Sequence, residues 1–166
     1  MKSKILIGLS GGVDSSVSLK ILKEQGYFVE ALYMKNWDED DKSSGCNAAE
    51  ELEYAIDVCD KLNVKLNTAN FSDEYWNKIF LNFIENYKSG YTPNPDILCN
   101  KYIKFKVFVD HAKALGFDKI ATGHYAKITK KNNNYFLDKP KDSSKDQTYF
   151  LHSLDQSQLK NVIFPL

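Results

Sequence analysis

Ser10-Gly11-Gly12-Val13-Asp14-Ser15-Ser16 has the composition of an anion cradle. Two adjacent glycines reach backbone conformations closed to other residues and let the main chain approach a ligand closely. Successive N–H groups in such a turn converge on a negative charge, and a helix that starts there adds the positive end of its dipole. Ser10, Ser15 and Ser16 bring hydroxyl donors. The Gly-Lys-Ser/Thr ending of a Walker A loop is missing, so this is a different phosphate-binding turn. A second reactive group stands far along the chain. Cys99 closes the run Thr92-Pro93-Asn94-Pro95-Asp96-Ile97-Leu98-Cys99-Asn100, with Lys101, Lys104 and Lys106 just behind it. A thiol at a helix start beside lysines is expected to be accessible and to have a lowered pKa, a buried structural cysteine being the alternative. Asp96 can serve as the N-cap of that helix. The three lysines are either a solvated helix face or phosphate contacts.

Elements must place these groups, and the hydrophobic pattern supplies them. Lys4 to Leu9 reads as a short, nearly continuous apolar strand of a buried parallel sheet. Val13, Val17 and Ile21 recur every fourth residue and predict a helix that stops at Gly26. Tyr27 to Met34 is a second strand, and Trp37 to Gly45 an acidic loop. Ala48, Leu52, Ala55, Ile56, Cys59 and Leu62 mark one face of a helix over 48–62. Val64 to Ala69 is a third strand, and Ser72 a candidate N-cap for a helix through Tyr87. A lysine-rich helix runs from Cys99 to Leu115 and stops at Gly116. Phe117 to Thr122 is a fourth strand. Tyr125 to Leu137, with Asn132-Asn133-Asn134 at its centre, reads as a β-hairpin. This alternation predicts an α/β fold: a parallel twisted sheet with helices on both faces. It also predicts a main domain over 1–130, then the hairpin and the start of a further segment over 131–166.

The chain has 166 residues, 43% hydrophobic and 27% charged, which are globular values that exclude a disordered tail or a disulfide miniprotein. No apolar run reaches the roughly 18 residues of a membrane-spanning helix. The stretch before the Ser-Gly-Gly turn is too short for a signal-peptide core. Three cysteines with no Cys-x-x-Cys pair argue against a zinc ribbon and for free thiols in a reducing cytoplasm. Cys46 and Cys59 read as helix packing residues, and His111 and His152 carry no assignment. Formal net charge is zero, and all 22 basic residues are lysine. Without a guanidinium fork, any phosphate must be held by lysine, hydroxyl or backbone N–H. Residues 38–60 hold nine acids against one lysine, whereas residues 101–145 hold eleven lysines against four acids. The second segment is either an ordinary solvated face or a surface for a polyanion.

Ser-Gly-Gly-x-Asp-Ser after a strand resembles the PP-loop of the ATP pyrophosphatases, which cleave ATP to AMP and pyrophosphate. The Pro-Asn-Pro-Asp-x-x-Cys-Asn run resembles a signature of the tRNA-specific 2-thiouridylase family within that superfamily. Met34-Lys35-Asn36-Trp37, Ala121-Thr122-Gly123-His124-Tyr125 and Lys145-Asp146-Gln147-Thr148-Tyr149-Phe150-Leu151 are similar to that family's further motifs and stand in its order. The resemblance implies adenylation of the C2 oxygen of a tRNA wobble uridine by ATP with Mg²⁺. Displacement of AMP by sulfur from a persulfide donor or carrier protein follows. It implies that Gly8, Leu9, Ser10, Gly11, Gly12, Val13, Asp14, Ser15 and Ser16 hold the ATP phosphates, and that Met34 and Gly123 border the nucleotide. It implies that Asn94, Pro95 and Asp96 contact the target base, with Asp96 its acid/base partner and Cys99 the nucleophilic thiol. His124 would stand at the tRNA side of the site, and Lys145, Asp146 and Gln147 would contact tRNA. No protein metal site is implied. The family's second, persulfide-bearing cysteine is expected beyond Leu166, so an incomplete enzyme is the expectation. A catalytically inactive ATP- or tRNA-binding remnant and a PP-loop amidating ligase are the alternatives.

Overall fold

The computed structural model describes residues 2–36 and 48–166. The expected acidic loop and Cys46 lie outside the described residues.

Five strands form one parallel sheet in the order β3-β2-β1-β4-β7. They are β1 (Lys4–Gly8), β2 (Phe28–Lys35), β3 (Leu66–Asn70), β4 (Lys119–Ala121) and β7 (Val162–Ile163). β1 is central, with Ile5 opposite both Val29 of β2 and Lys119 of β4. Its side chains alternate between two apolar layers, as the two-residue period of a strand requires. Ile5 and Ile7 pack with Leu19 and Leu22 of α1 (Val13–Glu24) and with Ala55 and Cys59 of α2 (Ala48–Leu62). Leu6 packs on the other face with Ile79, Cys99, Ile103, Phe105 and Phe108. Helices therefore cover both faces, as the alternating pattern predicts.

The helices of the second face change their winding along their length. α3 (Ser72–Tyr75) and α4 (Leu81–Lys88) are joined by a π-helical turn over Trp76–Phe80. α5 (Pro95–Leu98) and α6 (Phe108–Ala114) are joined by a longer π-helical stretch over Cys99–Val107. Cys99 stands where the winding changes.

Three local expectations are corrected. The buried face of α1 is Ser15, Ser18, Leu19 and Leu22. Val13 and Val17 are 77% and 42% exposed, because the glycine turn sets the helix phase so that the serines meet the sheet. In α2 Ile56 is exposed and Val58 packs instead. The cap of α3 comes from Asn70, whose Oδ1 accepts from the Ser72 N–H, and not from the Ser72 side chain.

β5 (Lys127–Lys131) and β6 (Asn134–Asp138) form the antiparallel hairpin. Asn132 and Asn133 both have positive φ, 50° and 64°, which is the type I′ geometry of a two-residue hairpin turn. Residue 130 lies within β5. Beyond the hairpin, Asp155 caps α7 (Gln156–Leu159) with a full capping box, and the chain then returns to the main sheet as β7 beside β4. Gln158 ties this return to the π-helical stretch by donating to the carbonyls of Lys101 and Phe105. Residues 156–163 are thus built into the main sheet and its covering helix. No helix among the described residues is long and apolar enough to cross a membrane.

Candidate functional site

The chain runs outward from β1 to β2 and β3, then returns to the opposite side of β1 as β4. The carboxyl ends of β1 and β4 diverge there, which is where open parallel sheets bind ligands. A cavity of about 420 Å³ opens at this point. It is lined by Gly8, Leu9, Ser10, Asp14 and Ser15 after β1, by Tyr33, Met34 and Asn36 of β2 and its end, and by Thr122, Gly123 and His124 after β4. Glu51, Lys104 and Gln147 complete the wall.

Steric limits build the loop between β1 and α1. Gly11 has φ 77°, and a Cβ there would lie 2.4 Å from the Glu51 carbonyl oxygen. A Cβ on Gly123 would stand 2.8 Å from the Ser15 nitrogen. The loops after β1 and β4 can therefore touch only through glycine. Within the turn, the Ser15 and Ser16 hydroxyls donate to the Gly12 carbonyl at 3.0 and 2.9 Å. The Ser10 N–H donates to Ser15 Oγ at 3.3 Å. Ser15 and Ser16 thus shape the loop with the protons expected to meet an anion. The converging donors are the backbone N–H groups of the first turn of α1, since the Ser10 hydroxyl stands 3.3 Å from Ser15 Oγ, whose own proton goes to Gly12.

Asp14 is tied to two distant residues. Its Oδ2 accepts from Lys145 Nζ at 2.7 Å and its Oδ1 from the Tyr125 hydroxyl at 3.2 Å. The same ammonium lies 4.4 Å from the centre of the Tyr125 ring. The carboxylate holds the Lys145 pKa above its ordinary value. Gln147 fixes Tyr125 from the other side, donating its N–H to the Tyr125 carbonyl at 3.1 Å and accepting from the Tyr125 N–H at 2.9 Å. Asp146 is turned inward to its own loop, accepting from the Thr148 N–H and hydroxyl.

His124 rests against Phe105 and Phe164, with its Nδ1 2.8 Å from Thr122 Oγ1. Burial, assisted by the Lys104 charge, lowers its pKa to about 3, so it is a neutral imidazole. Lys104 projects from the π-helical stretch into the cavity wall and has no carboxylate partner among the described residues.

The structure corrects the expected state of Cys99. The helix begins four residues earlier, at Pro95, with Asn94 as its N-cap accepting from the Asp96 N–H at 3.0 Å. Cys99 is therefore past the first turn and faces the apolar layer, only 9% exposed. Burial raises its thiol pKa, with Lys104 pulling the other way and Asp96 adding to the rise. The cap position also corrects the reading of Asp96 as N-cap: it is exposed in the first turn. Asn94, Pro95, Asp96 and Cys99 do not line the cavity, and Lys104 is the residue that joins their helix to it. Tyr33 and Glu51 line it without having been singled out in the sequence, and Asn36 and Thr122, which stand inside two of the sequence motifs, line it without having been given a role there. Tyr33 and Asn36 flank the Met34-Lys35 pair of a recognised motif, whereas nothing local marks Glu51. The expected Cys59 packing is as found, 2% exposed between α2 and the sheet.

Proteins of known name share this chain's sequence over its length. The tRNA-specific 2-thiouridylase MnmA of Ruthia magnifica is 58% identical over 164 residues, covering 99% of this chain and 45% of that protein. The same-named protein of Legionella pneumophila subsp. pneumophila is 54% identical over 166 residues, covering 100% of this chain and 46% of its own length. The chain thus spans somewhat less than half the length of these curated relatives. Among solved structures, a predicted subunit of a tRNA methyltransferase from Methanocaldococcus jannaschii superposes with a TM-score of 0.57 at 18% identity, over 99% of this chain and 68% of that one. That likeness is one of fold: a parallel sheet covered by helices, of the kind described above. The family model described as the tRNA methyl transferase HUP domain matches residues 3–166, taking in the strand, loop and helix that frame the cavity, and the chain belongs to that family.

Proposed function

We propose that the chain carries the ATP-binding and base-activating site of a tRNA 2-thiouridylase. The observation that carries this reading is the cavity at the switch point. The glycine turn forms one side, and Lys104, from the helix bearing Cys99, reaches into it. Its volume suits a nucleotide. The names of the curated relatives, 54–58% identical, support the same reaction. The family model's description speaks of methyl transfer instead. A sulfonium methyl donor brings no phosphate to such a cradle, whereas activation by adenylation brings three.

The ring carbonyl oxygen of uridine is a poor leaving group and AMP a good one. In the proposed sequence the C2 oxygen attacks the α-phosphorus of ATP and pyrophosphate departs. The outer sulfur of the persulfide then adds at C2, and AMP leaves with the oxygen. The Cys99 thiolate attacks the inner sulfur, the S–S bond breaks and 2-thiouridine departs. The Cys99–donor disulfide that remains is reduced by an external thiol. The backbone N–H groups at 12–15 hold phosphate oxygens. Met34 and Gly123 border the nucleotide, and Asn94, Pro95 and Asp96 meet the flipped base. Asp96 handles the proton of the uridine, and Cys99 supplies the thiol. The Lys104 charge favours the ionised form of Cys99. Asp14 and Glu51 are the carboxylates in the cavity wall, a donor set that fits a Mg²⁺ held mainly by phosphates. That ion would neutralise phosphate charge. Among the described residues there is no cluster of three or more ligands for a resident metal.

The test is product analysis with ATP and unmodified tRNA. AMP and pyrophosphate, with formation dependent on tRNA, are expected. ADP and orthophosphate as main products would remove the reading.

A further inference from the structure

We propose that Lys145 is a polyphosphate-binding residue of the nucleotide site, held in place by Asp14 until a nucleotide arrives. This rests on the reading of the cavity as an ATP site. The chain has no arginine, and the turn itself has no lysine. A triphosphate brings several negative charges to a cradle whose own side chains supply hydroxyls and one carboxylate. A cation must come from elsewhere in the chain.

Lys104 brings one charge from the opposite wall of the cavity, and Lys145 is the cation on the side of the phosphate turn. It lies 131 residues from Asp14 in sequence, yet its ammonium is 2.7 Å from the carboxylate of the first turn of α1. Asp14 itself lines the cavity. The Tyr125 ring beneath the ammonium and the two Gln147–Tyr125 hydrogen bonds fix the segment that carries Lys145. Gly123, in the same loop, is pressed against the Ser15 backbone. The loop after β4, the 145–147 segment and the phosphate turn are therefore one connected wall. The ion pair is partly solvated, with side-chain exposures of 45% and 38%, so an incoming polyphosphate can compete for the ammonium at small cost. A lysine side chain pivoting from Asp14 then reaches anions seated on the N–H groups next to it. Lys145 so placed acts on the β- and γ-phosphates of ATP and has little to hold in AMP. Resemblance to the thiouridylase motif points it instead toward tRNA, and the two roles make different predictions.

The experiment is calorimetric titration of the 166-residue chain with α,β-methylene-ATP, which resists cleavage between the α- and β-phosphates, and separately with AMP. Lys145→Gln is expected to weaken the triphosphate analogue about tenfold and AMP by less than about twofold. Lys145→Arg should recover most of the loss. Lys139→Gln removes the same charge six residues away, where the side chain is 85% exposed, and should change neither affinity. Equal affinities of wild type and Lys145→Gln for the analogue would overturn the proposal while leaving the ATP site intact. So would a loss confined to tRNA binding. A wild-type chain that binds neither nucleotide would overturn the ATP reading and this proposal with it.

Discussion

His124 illustrates how burial decides the chemistry available to one side chain. Thr122 meets its Nδ1, two phenylalanine rings enclose it and Lys104 repels a proton from it. Its pKa is about 3 in the fold, against 6.5 when free. Between those values the unfolded chain takes up a proton that the fold refuses. The contribution of His124 to stability is therefore complete above about pH 6.5 and is lost at about 1.4 kcal/mol per pH unit as pH falls below it. Urea unfolding at pH 7 and pH 5.5 measures this. His124→Asn, which can still meet Thr122, should lose about 1 kcal/mol less than wild type across that interval. An unchanged pH dependence in the variant would mean that the imidazole is already exchanging protons in the fold. Cys99 follows the same rule with the opposite sign: burial keeps it a neutral thiol, so its reactivity depends on Lys104 and on substrate.

Contacts between elements explain why the phosphate turn tolerates some changes and not others. Gly11 and Gly123 are pressed against backbone, and Gly11 also has a left-handed φ. Gly12 has an ordinary φ of −75°, and a Cβ there would meet only the Ser10 hydroxyl, at 3.4 Å. Gly11→Ala and Gly123→Ala should therefore cost about 2 kcal/mol or more of stability, and Gly12→Ala about 1 kcal/mol or less as a poorer helix cap. Thermal or urea unfolding of the three variants gives the order directly, and a Gly123→Ala protein as stable as wild type would refute the close approach of the two loops. Much of this level was legible in the sequence. The strand-turn-helix at 4–24, the stops at Gly26 and Gly116 and the Asn132-Asn133 turn are local signals, and local backbone chemistry decides them. The phase of α1 was not legible, because the turn geometry, and not the apolar count, sets which residues face the sheet. Nor was the start of the helix carrying Cys99: Asn94 and Pro95 together form an N-cap and first turn, which places the thiol one turn deeper than a start at Cys99 itself. The Asp14–Lys145 pair lay beyond any local pattern, since only the return of the chain past β4 brings the two together.

At the scale of the molecule the zero net charge conceals a polarity across the sheet. α2 carries Glu50, Glu51, Glu53, Asp57 and Asp60 on one face, and the helix with Lys101, Lys104 and Lys106 covers the other. A polyanion that binds the chain is therefore expected to meet it from the lysine side, with an affinity that falls as salt rises. The two described cysteines obey the same division. Cys59 is packed in the layer with α1 and α2, and Cys99 in the layer on the opposite face of the sheet. Both are buried, with raised pKa, that of Cys59 to about 11. The sheet lies between the two thiols, so they cannot pass sulfur to one another without unfolding it. Under the proposed reaction, sulfur would therefore have to come from outside this pair. The relatives that carry the thiouridylase name have more than twice the length matched here. We accordingly expect the 166-residue chain, given ATP, tRNA and a persulfide donor, to release AMP and pyrophosphate but to form essentially no 2-thiouridine. A chain extended to the length of those relatives should form it, Cys99→Ala should abolish the product in that longer chain, and Cys59→Ala should leave it. Mass spectrometry of nucleosides from digested tRNA provides the measurement. Thiolation by the 166 residues alone at a rate matching the longer chain would show that Cys99, or Cys46, accepts sulfur directly, and that no second thiol is needed.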